Sequence, residues 1–301
     1  METFQAQPAR PRPSATVILT RQQGAELQVY LLKRNIKSRF MAGNYVFPGG
    51  IVEPEDGDVD RWMANIDLDL NELNQRLGGG LSALEALAYG IAAIRETYEE
   101  AGIILADRSG RTNEDVRQLT RRPLSGQDPG GGFLRQVQSQ NWVLKLSGLG
   151  RWSRWVTPER MTRRYDTRFF LATTPPGQVC RPDQAETVHG FWISPQKGLA
   201  ANLRGKAPLS PPTLVTLHEL LKYANLDALE EHLKHRPWGE MRLPRLVVNN
   251  DAAVIVQPWD HQYRQAHITI DTDALPGAVL PVGEPFSRLW HCGGIWKPVR
   301  G

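Results

Sequence analysis

SALEALAYGIAAIRETYEEAGI, residues 82–103, carries the start, the buried face and the stop of one long helix. Ser82 followed three residues later by Glu85 is a capping-box pattern, and Gly102 stands where a glycine ends a helix. Leu84, Leu87, Ile91, Ile94 and Tyr98 recur at alternating steps of three and four, so one face is expected to be buried. Glu96, Glu99 and Glu100 project from the other side. Carboxylates at i, i+3 and i+4 repel one another by a few tenths of a kcal/mol per pair on a bare helix. A divalent cation reverses that sign. Mg²⁺ takes oxygen ligands and keeps several waters, so such a cluster suits a metal shared with a substrate phosphate. Arg95 is set to pair with Glu99 one turn on, or to reach a neighbouring loop. The competing reading of the glutamates is a solvated acidic face.

Upstream, GNYVFPGG (residues 43–50) is a strand-like run broken by Pro48 and a Gly49-Gly50 pair that brings backbone close to a ligand. On these residues the chain resembles the Nudix hydrolases, whose box reads G-x5-E-x7-R-E-U-x-E-E-x-G-U with U aliphatic. Gly50 matches the first glycine and residues 95–103 match the second half, with Thr97 in place of an aliphatic residue. The box is interrupted: the 45 positions from Gly50 to Arg95 exceed its spacing by about 31. Asp56 falls at the count of the first glutamate, where the insert begins. A split box resembles the peroxisomal-type coenzyme A diphosphatases, and LLKRNIKSRFMAGNYVFPGG (31–50), VTPERMTRRYDTRFFLA (156–172) and LSPPTLVTLHEL (209–220) are similar to segments of that branch.

The resemblance implies an α/β/α Nudix sandwich with a mixed β-sheet over residues 13–205. A flexible tail (1–12) precedes it, an insert (about 53–80) interrupts the box, and a helix with a β-rich extension (206–301) follows. It implies Glu96, Glu99 and Glu100 as ligands of Mg²⁺ or Mn²⁺, with Arg95 orienting them. Glu99, Glu100, Arg95 and Glu186 are the expected residues of catalysis, Glu186 as a further ligand or base ahead of the last sheet strand and its Trp192. The implied reaction cleaves coenzyme A or its thioesters to 3′,5′-ADP and 4′-phosphopantetheine. Other nucleotide derivatives such as ADP-ribose or NADH, and a regulator that binds nucleotide or RNA without cleaving it, are the alternatives. The full E-x-x-E-E set argues against the last.

Residues 15–20 and 27–32 read as a hairpin turning at Gly24, and 45–47 as a strand ending at a Gly49-Gly50 turn. Lys33, Arg34, Lys37 and Arg39 form a basic loop suited to phosphate, with Arg34, Gly49 and Gly50 as substrate contacts. The insert is expected to hold one helix over 61–77 with Trp62, Ile66, Leu70 and Leu73 on a face. Helices are expected around 113–120 and 133–145, and a strand over 168–173. Between 149 and 172, six arginines stand close to Trp152 and Trp155. Arg163 and Arg164 are the candidates for an additional phosphate, against the simpler reading of core Trp and surface Arg. A helix begins at Pro211-Pro212. Residues 243–249, 251–257 and 265–271 read as strands of the extension.

With 301 residues, 41% of them hydrophobic, the chain can bury a large core. A net charge of +4 suits an anionic small-molecule nucleotide substrate and gives no case for nucleic acid. Cys180 and Cys292 are too few for a disulfide framework or a thiolate metal site. No run of eighteen apolar residues and no secretory pattern is present, so no membrane partner and a cytoplasmic location are expected. Oligomeric state is left open.

Overall fold

The computed structural model describes residues 9–38, 41–108, 132–249 and 252–301. The helix expected over 113–120 and the basic Arg39 lie outside them. Strands β1 (Arg12–Gln23) and β2 (Glu26–Arg34) form the expected hairpin, turning at Gly24 with φ 58°. The first of the two segments after it, β3 (Tyr45–Val46), pairs with the end of β2. The diglycine is not a turn but part of a short strand, β4 (Gly49–Ile51), which lies antiparallel against β1. A Cβ on Gly49 would sit 2.4 Å from the Ala15 carbonyl oxygen and 2.7 Å from Thr16 Cα. Only glycine permits that approach, and sequence spacing gives no sign of it.

The insert contains no single helix. Two short helices, α1 (Val59–Trp62) and α2 (Leu70–Leu73), are joined by irregular turns and followed by a π turn over Asn74–Gly78. Asp67 breaks the run by accepting hydrogen bonds from the Ser147 backbone N–H and hydroxyl, and Asp69 then caps α2 with Glu72 in a capping box. Trp62, Ile66 and Leu73 are buried all the same. The orphan carbonyls of Leu77 and Gly78 each accept from Trp238 Nε1 at 2.9 Å.

Helix α3 (Ala83–Ala101) has both predicted ends: Ser82 and Glu85 cap it reciprocally, and Gly102 closes it at φ 69° with its N–H on the Tyr98 carbonyl. Its burial is wider than one face, since Ala86, Leu87, Tyr89, Ile91, Ala92, Ala93, Ile94 and Tyr98 are all buried. Leu84 departs from expectation. It is 52% exposed in the first turn, where the helix projects past the core. After β5 (Ala106–Arg108) comes α4 (Gly132–Ser139). The helix expected to continue to residue 145 stops there, because Asn141 adopts φ 52° and residues 142–144 become β6 (Trp142–Leu144), paired with β5.

Strands β7 (Gly150–Val156), β8 (Tyr165–Thr173) and β9 (Thr187–Ile193) complete the central sheet with β10 (Met241–Arg242). The strand order is β10-β7-β8-β1-β2-β3, with β4 on β1 and β9 on β2. Pairs β1–β8 and β10–β7 are parallel and the rest antiparallel, so the sheet is mixed. Alternation along the strands sorts side chains to two faces. Ala15, Val17, Leu19, Leu32 and Phe170 join α3 and the insert in one core. Ile18, Leu31, Trp155, Phe169 and Leu171 join the other core with α5 (Pro195–Leu203), α6 (Pro211–Leu220) and α7 (Leu226–Leu233). This is an α/β/α sandwich.

The extension forms a four-stranded antiparallel sheet of β11 (Arg245–Asn249), β12 (Ala252–Val256), β13 (Arg288–Cys292) and β14 (Ile295–Val299). Residues 265–271 are not a strand. Their place is taken by the terminal hairpin, which turns at Gly293 and Gly294, both at positive φ. The buried Asp260 carboxylate and Arg288 guanidinium, 2.8 Å apart, anchor it. The extension is continuous with the sandwich: β10 belongs to the main sheet, and Ile255, Leu289 and Phe286 lie in the α6 core.

Candidate active site

Arg95 organises the last two turns of α3. It is buried and spans Asp56 with Nε and Nη2 at 3.0 and 2.9 Å, Glu96 at 2.7 Å, Glu99 at 3.2 Å and the Ile51 carbonyl at 2.9 Å. Both geometric options for Arg95 are therefore realised. Burial alone would lower its pKa, but Asp56, Glu96 and Glu99 together raise it, so it stays charged. Asp56, at the count of the box's first glutamate, is the bidentate partner; its side chain also accepts the Glu53 N–H. Thr97, the departure from the box, is buried and donates its hydroxyl to the Ala93 carbonyl at 2.7 Å, which removes the cost of an unpaired polar group.

The glutamates are not a solvated face. Glu100 is buried and accepts the Gly49 N–H at 2.9 Å, so the diglycine strand positions a carboxylate. Glu96 occupies the space above Gly50: a Cβ there would stand 2.5 Å from its carboxylate. Glu99 is the most open, with 36% of its side chain exposed. Burial pushes Glu96 up to about 7 against the opposing pull of Arg95, and holds Glu100 well above the ordinary carboxylate range, with Glu96 adding to the rise. Burial likewise raises Glu99. Asp56, Glu96, Glu99, Glu100 and Glu186 share the region with the guanidinium groups of Arg95 and Arg34, so the carboxylates outnumber the cations, an arrangement that a hard cation suits. Among the described residues no three His, Cys, Asp or Glu side chains already converge on one point. Arg95 explains this, because Glu96 and Glu99 turn toward its Nη1 rather than toward each other. The donor set has the chemistry of a hard divalent-cation site, for which Glu96 and Glu99 would turn carboxylate oxygens away from Arg95.

A cavity of about 400 Å³ opens beside the cluster on the sheet face opposite α3. Gly49, Gly50, Glu96, Arg34 and Glu186 all line it. Glu186 is 69% exposed with its carboxylate 4.0 Å from Arg34, and its charge raises Glu96, Glu99 and Glu100. Arg34 Nε is buried with no acceptor, and this guanidinium in turn lowers Glu100. Glu186 and Arg34, 152 residues apart, are thus brought to the cluster as expected.

Arg163 and Arg164 are not. Neither lines the cavity, and the Arg164 guanidinium is committed to the Thr157 and Ala9 carbonyls at 3.1 and 2.8 Å. The arginine-rich stretch is mostly structural: Trp152 and Trp155 are core residues, and Arg154 grips Asp166 through both oxygens. Trp155, which the sequence offered either as a ring for stacking on a purine or as core, does line the cavity, while Ser14, Thr16, Phe169, Pro244 and Ile255 were missed as lining residues. They come from strands distant in sequence and carry no motif.

The family model of the NUDT19 Nudix domain matches residues 71–220. The chain is 28% identical over 312 residues to the acyl-coenzyme A diphosphatase NUDT19 of Gallus gallus, covering 88% of this chain and 82% of that protein. It is 27% identical to the Homo sapiens protein of the same name, covering 92% and 84%. Among solved structures, a NUDIX hydrolase from Alicyclobacillus acidocaldarius superposes with a TM-score of 0.58 at 23% identity, over 77% of this chain and 99% of that one. That likeness shows the fold, and the matches to the two relatives run over most of both chains. With the box residues assembled on one capped helix beside a cavity, the chain has the fold of the Nudix hydrolases.

Proposed function

We propose that this protein is a Nudix pyrophosphohydrolase that cleaves the diphosphate of coenzyme A or acyl-coenzyme A to 3′,5′-ADP and (acyl-)4′-phosphopantetheine. The observation that carries the chemistry is the intact carboxylate cluster at the cavity mouth, with Glu96 against Gly50 and Glu100 held by the Gly49 N–H. The substrate class rests on the relatives named acyl-coenzyme A diphosphatase, which align along most of their length. Nudix hydrolases generally use a divalent metal, and Glu96, Glu99 and Glu100 would hold Mg²⁺ or Mn²⁺ here. When bound, the ion would supply charge neutralisation at the diphosphate and a lowered pKa for the attacking water. Arg34 pairs with a phosphate oxygen through the guanidinium edge that lacks an acceptor. Arg95, its guanidinium fixed by Asp56, pairs with Glu96 and Glu99 and would orient them at the end of α3. Glu186, exposed and facing the cluster, accepts the proton of the attacking water.

The test is product analysis by mass spectrometry after incubation with Mg²⁺ or Mn²⁺ and coenzyme A, acetyl-coenzyme A, ADP-ribose or NADH. Selective release of 3′,5′-ADP supports the reading, whereas preferential cleavage of ADP-ribose or NADH removes the coenzyme A assignment. Glu99→Gln and Glu100→Gln are expected to lower kcat by about a hundredfold or more while the protein stays folded. Full activity in both variants removes the cluster from the reaction.

A further inference from the structure

The cavity is electrically two-ended. Across the sheet its floor runs from Gly49 and Gly50 on β4, through β1 and β8, to Trp155 on β7. Adjacent strands lie about 4.8 Å apart, so three steps span about 14 Å. The charged residues among the described lining are Arg34, Glu53, Glu96 and Glu186, and the contacts above group Arg34, Glu96 and Glu186 at the diglycine end. The β7 end is built from Trp155, Val156, Thr157, Pro158 and Tyr165 together with Pro244 and Ile255 of the extension, apolar but for two hydroxyls and all without charge. Overhead stands the first turn of α6. Pro211 and Pro212 have no N–H to give, and the Thr213 N–H donates to Ser210 Oγ, so this helix end offers no free donor to an anion.

We propose that the apolar half receives the uncharged aliphatic amide chain on one side of the diphosphate, the pantetheine arm with its acyl group. Pro244 and Ile255 make the C-terminal extension a specificity element for that chain. The phosphate-bearing nucleotide stays at the Arg34 end, where a cation is present. Among the described lining residues no charged side chain meets an anionic group at the β7 end, where Arg242 is stacked on the Trp155 ring, whereas a methylene chain there exchanges water for Trp155, Val156 and Ile255. This assignment rests on the coenzyme A reading and fixes the orientation of the substrate within it.

Inhibition of coenzyme A hydrolysis by each product, measured on the full chain and two variants, tests it. Pro158→Glu places a carboxylate at the apolar end from a partly exposed loop position and removes no backbone donor. Ile255→Ala trims the wall contributed by the extension. Both are expected to raise the inhibition constant of 4′-phosphopantetheine by about fivefold or more and to leave that of 3′,5′-ADP within about twofold, as expected for loss of apolar contact on one side only. A change that falls on 3′,5′-ADP instead, or on neither product, overturns the orientation while the activity stands. If Ile255→Ala unfolds, as a thermal melt will show, Pro158→Glu decides alone. Failure of the unaltered protein to hydrolyse coenzyme A sinks both the activity and the orientation.

Discussion

One guanidinium holds three carboxylates and a carbonyl at the end of α3, and the energetic order of those contacts sets what each substitution does. The Asp56–Arg95 pair is the most buried of them. Removing one partner of a buried pair typically costs 3–5 kcal/mol, because the remaining charge is left without compensation. Arg95 keeps Glu96 and Glu99, so Asp56→Asn is expected to cost about 3 kcal/mol, the low end of that range. Denaturant unfolding measures it; a loss below about 1 kcal/mol would show that Glu96 and Glu99 suffice to hold the arginine. The carboxylates themselves act in the opposite sense. Burial raises Glu96 from 4.5 to about 7 and Glu100 in the same direction, so the folded protein retains protons that the unfolded chain releases. Without metal, stability is therefore expected to fall as pH rises from about 4.5 to about 7. Added Mg²⁺ should raise the melting temperature more at pH 8 than at pH 5.5, since ligand carboxylates must be ionised to bind it. Equal stabilisation at both values would mean that Glu96 and Glu100 are not ligands.

At the scale of elements, β4 is the part of the site whose role depends on two residues without side chains. Its two glycines meet different obstacles, which separates two effects that are usually confounded. A methyl group on Gly49 meets the β1 backbone at Ala15 and Thr16, which cannot yield without shifting the strand. A methyl group on Gly50 meets only the end of the Glu96 side chain, which rotates away. Gly49→Ala is thus expected to destabilise the fold by about 1–3 kcal/mol, the usual cost of overpacking. Gly50→Ala should leave the melting temperature close to that of the unaltered protein and weaken metal-dependent activity by about tenfold or more, as displaced site carboxylates do. Calorimetry and metal titration distinguish them, and a reversed pattern would place Glu96 away from Gly50.

At the scale of the whole molecule, neither the insert nor the extension is an appendage. Trp238 crosses from the start of the extension to close the π turn of the insert, packing 5.0 Å from Phe170 and stacking with Arg168. Asn202 at the end of α5 donates to the Trp296 carbonyl of β14 and accepts from Leu209 before α6. Shared cores and shared hydrogen bonds couple unfolding, so a single calorimetric transition is expected, with no separate melting of residues 241–301. Two resolved transitions would show that the extension folds independently.

Local physics alone determined α3 from Ser82 to Gly102 and the hairpin at Gly24, because caps and periodicity act within a few residues of sequence, whereas the split box and the reading of its glutamates as a metal cluster came from resemblance. Glu186 was legible only through resemblance, and Arg34 as one member of a basic loop. Tertiary structure decided the rest. The diglycine became a strand because β1 presses against it, the insert helix broke because Asp67 found Ser147, and Arg164 left the candidate site because two backbone carbonyls claimed its guanidinium. The apolar end of the cavity could not be read in advance, since Trp155 and Ile255 stand 100 positions apart and meet only when two sheets close over one core. Hydrophobic burial is non-directional, so it leaves no mark in local sequence of which surfaces it will join.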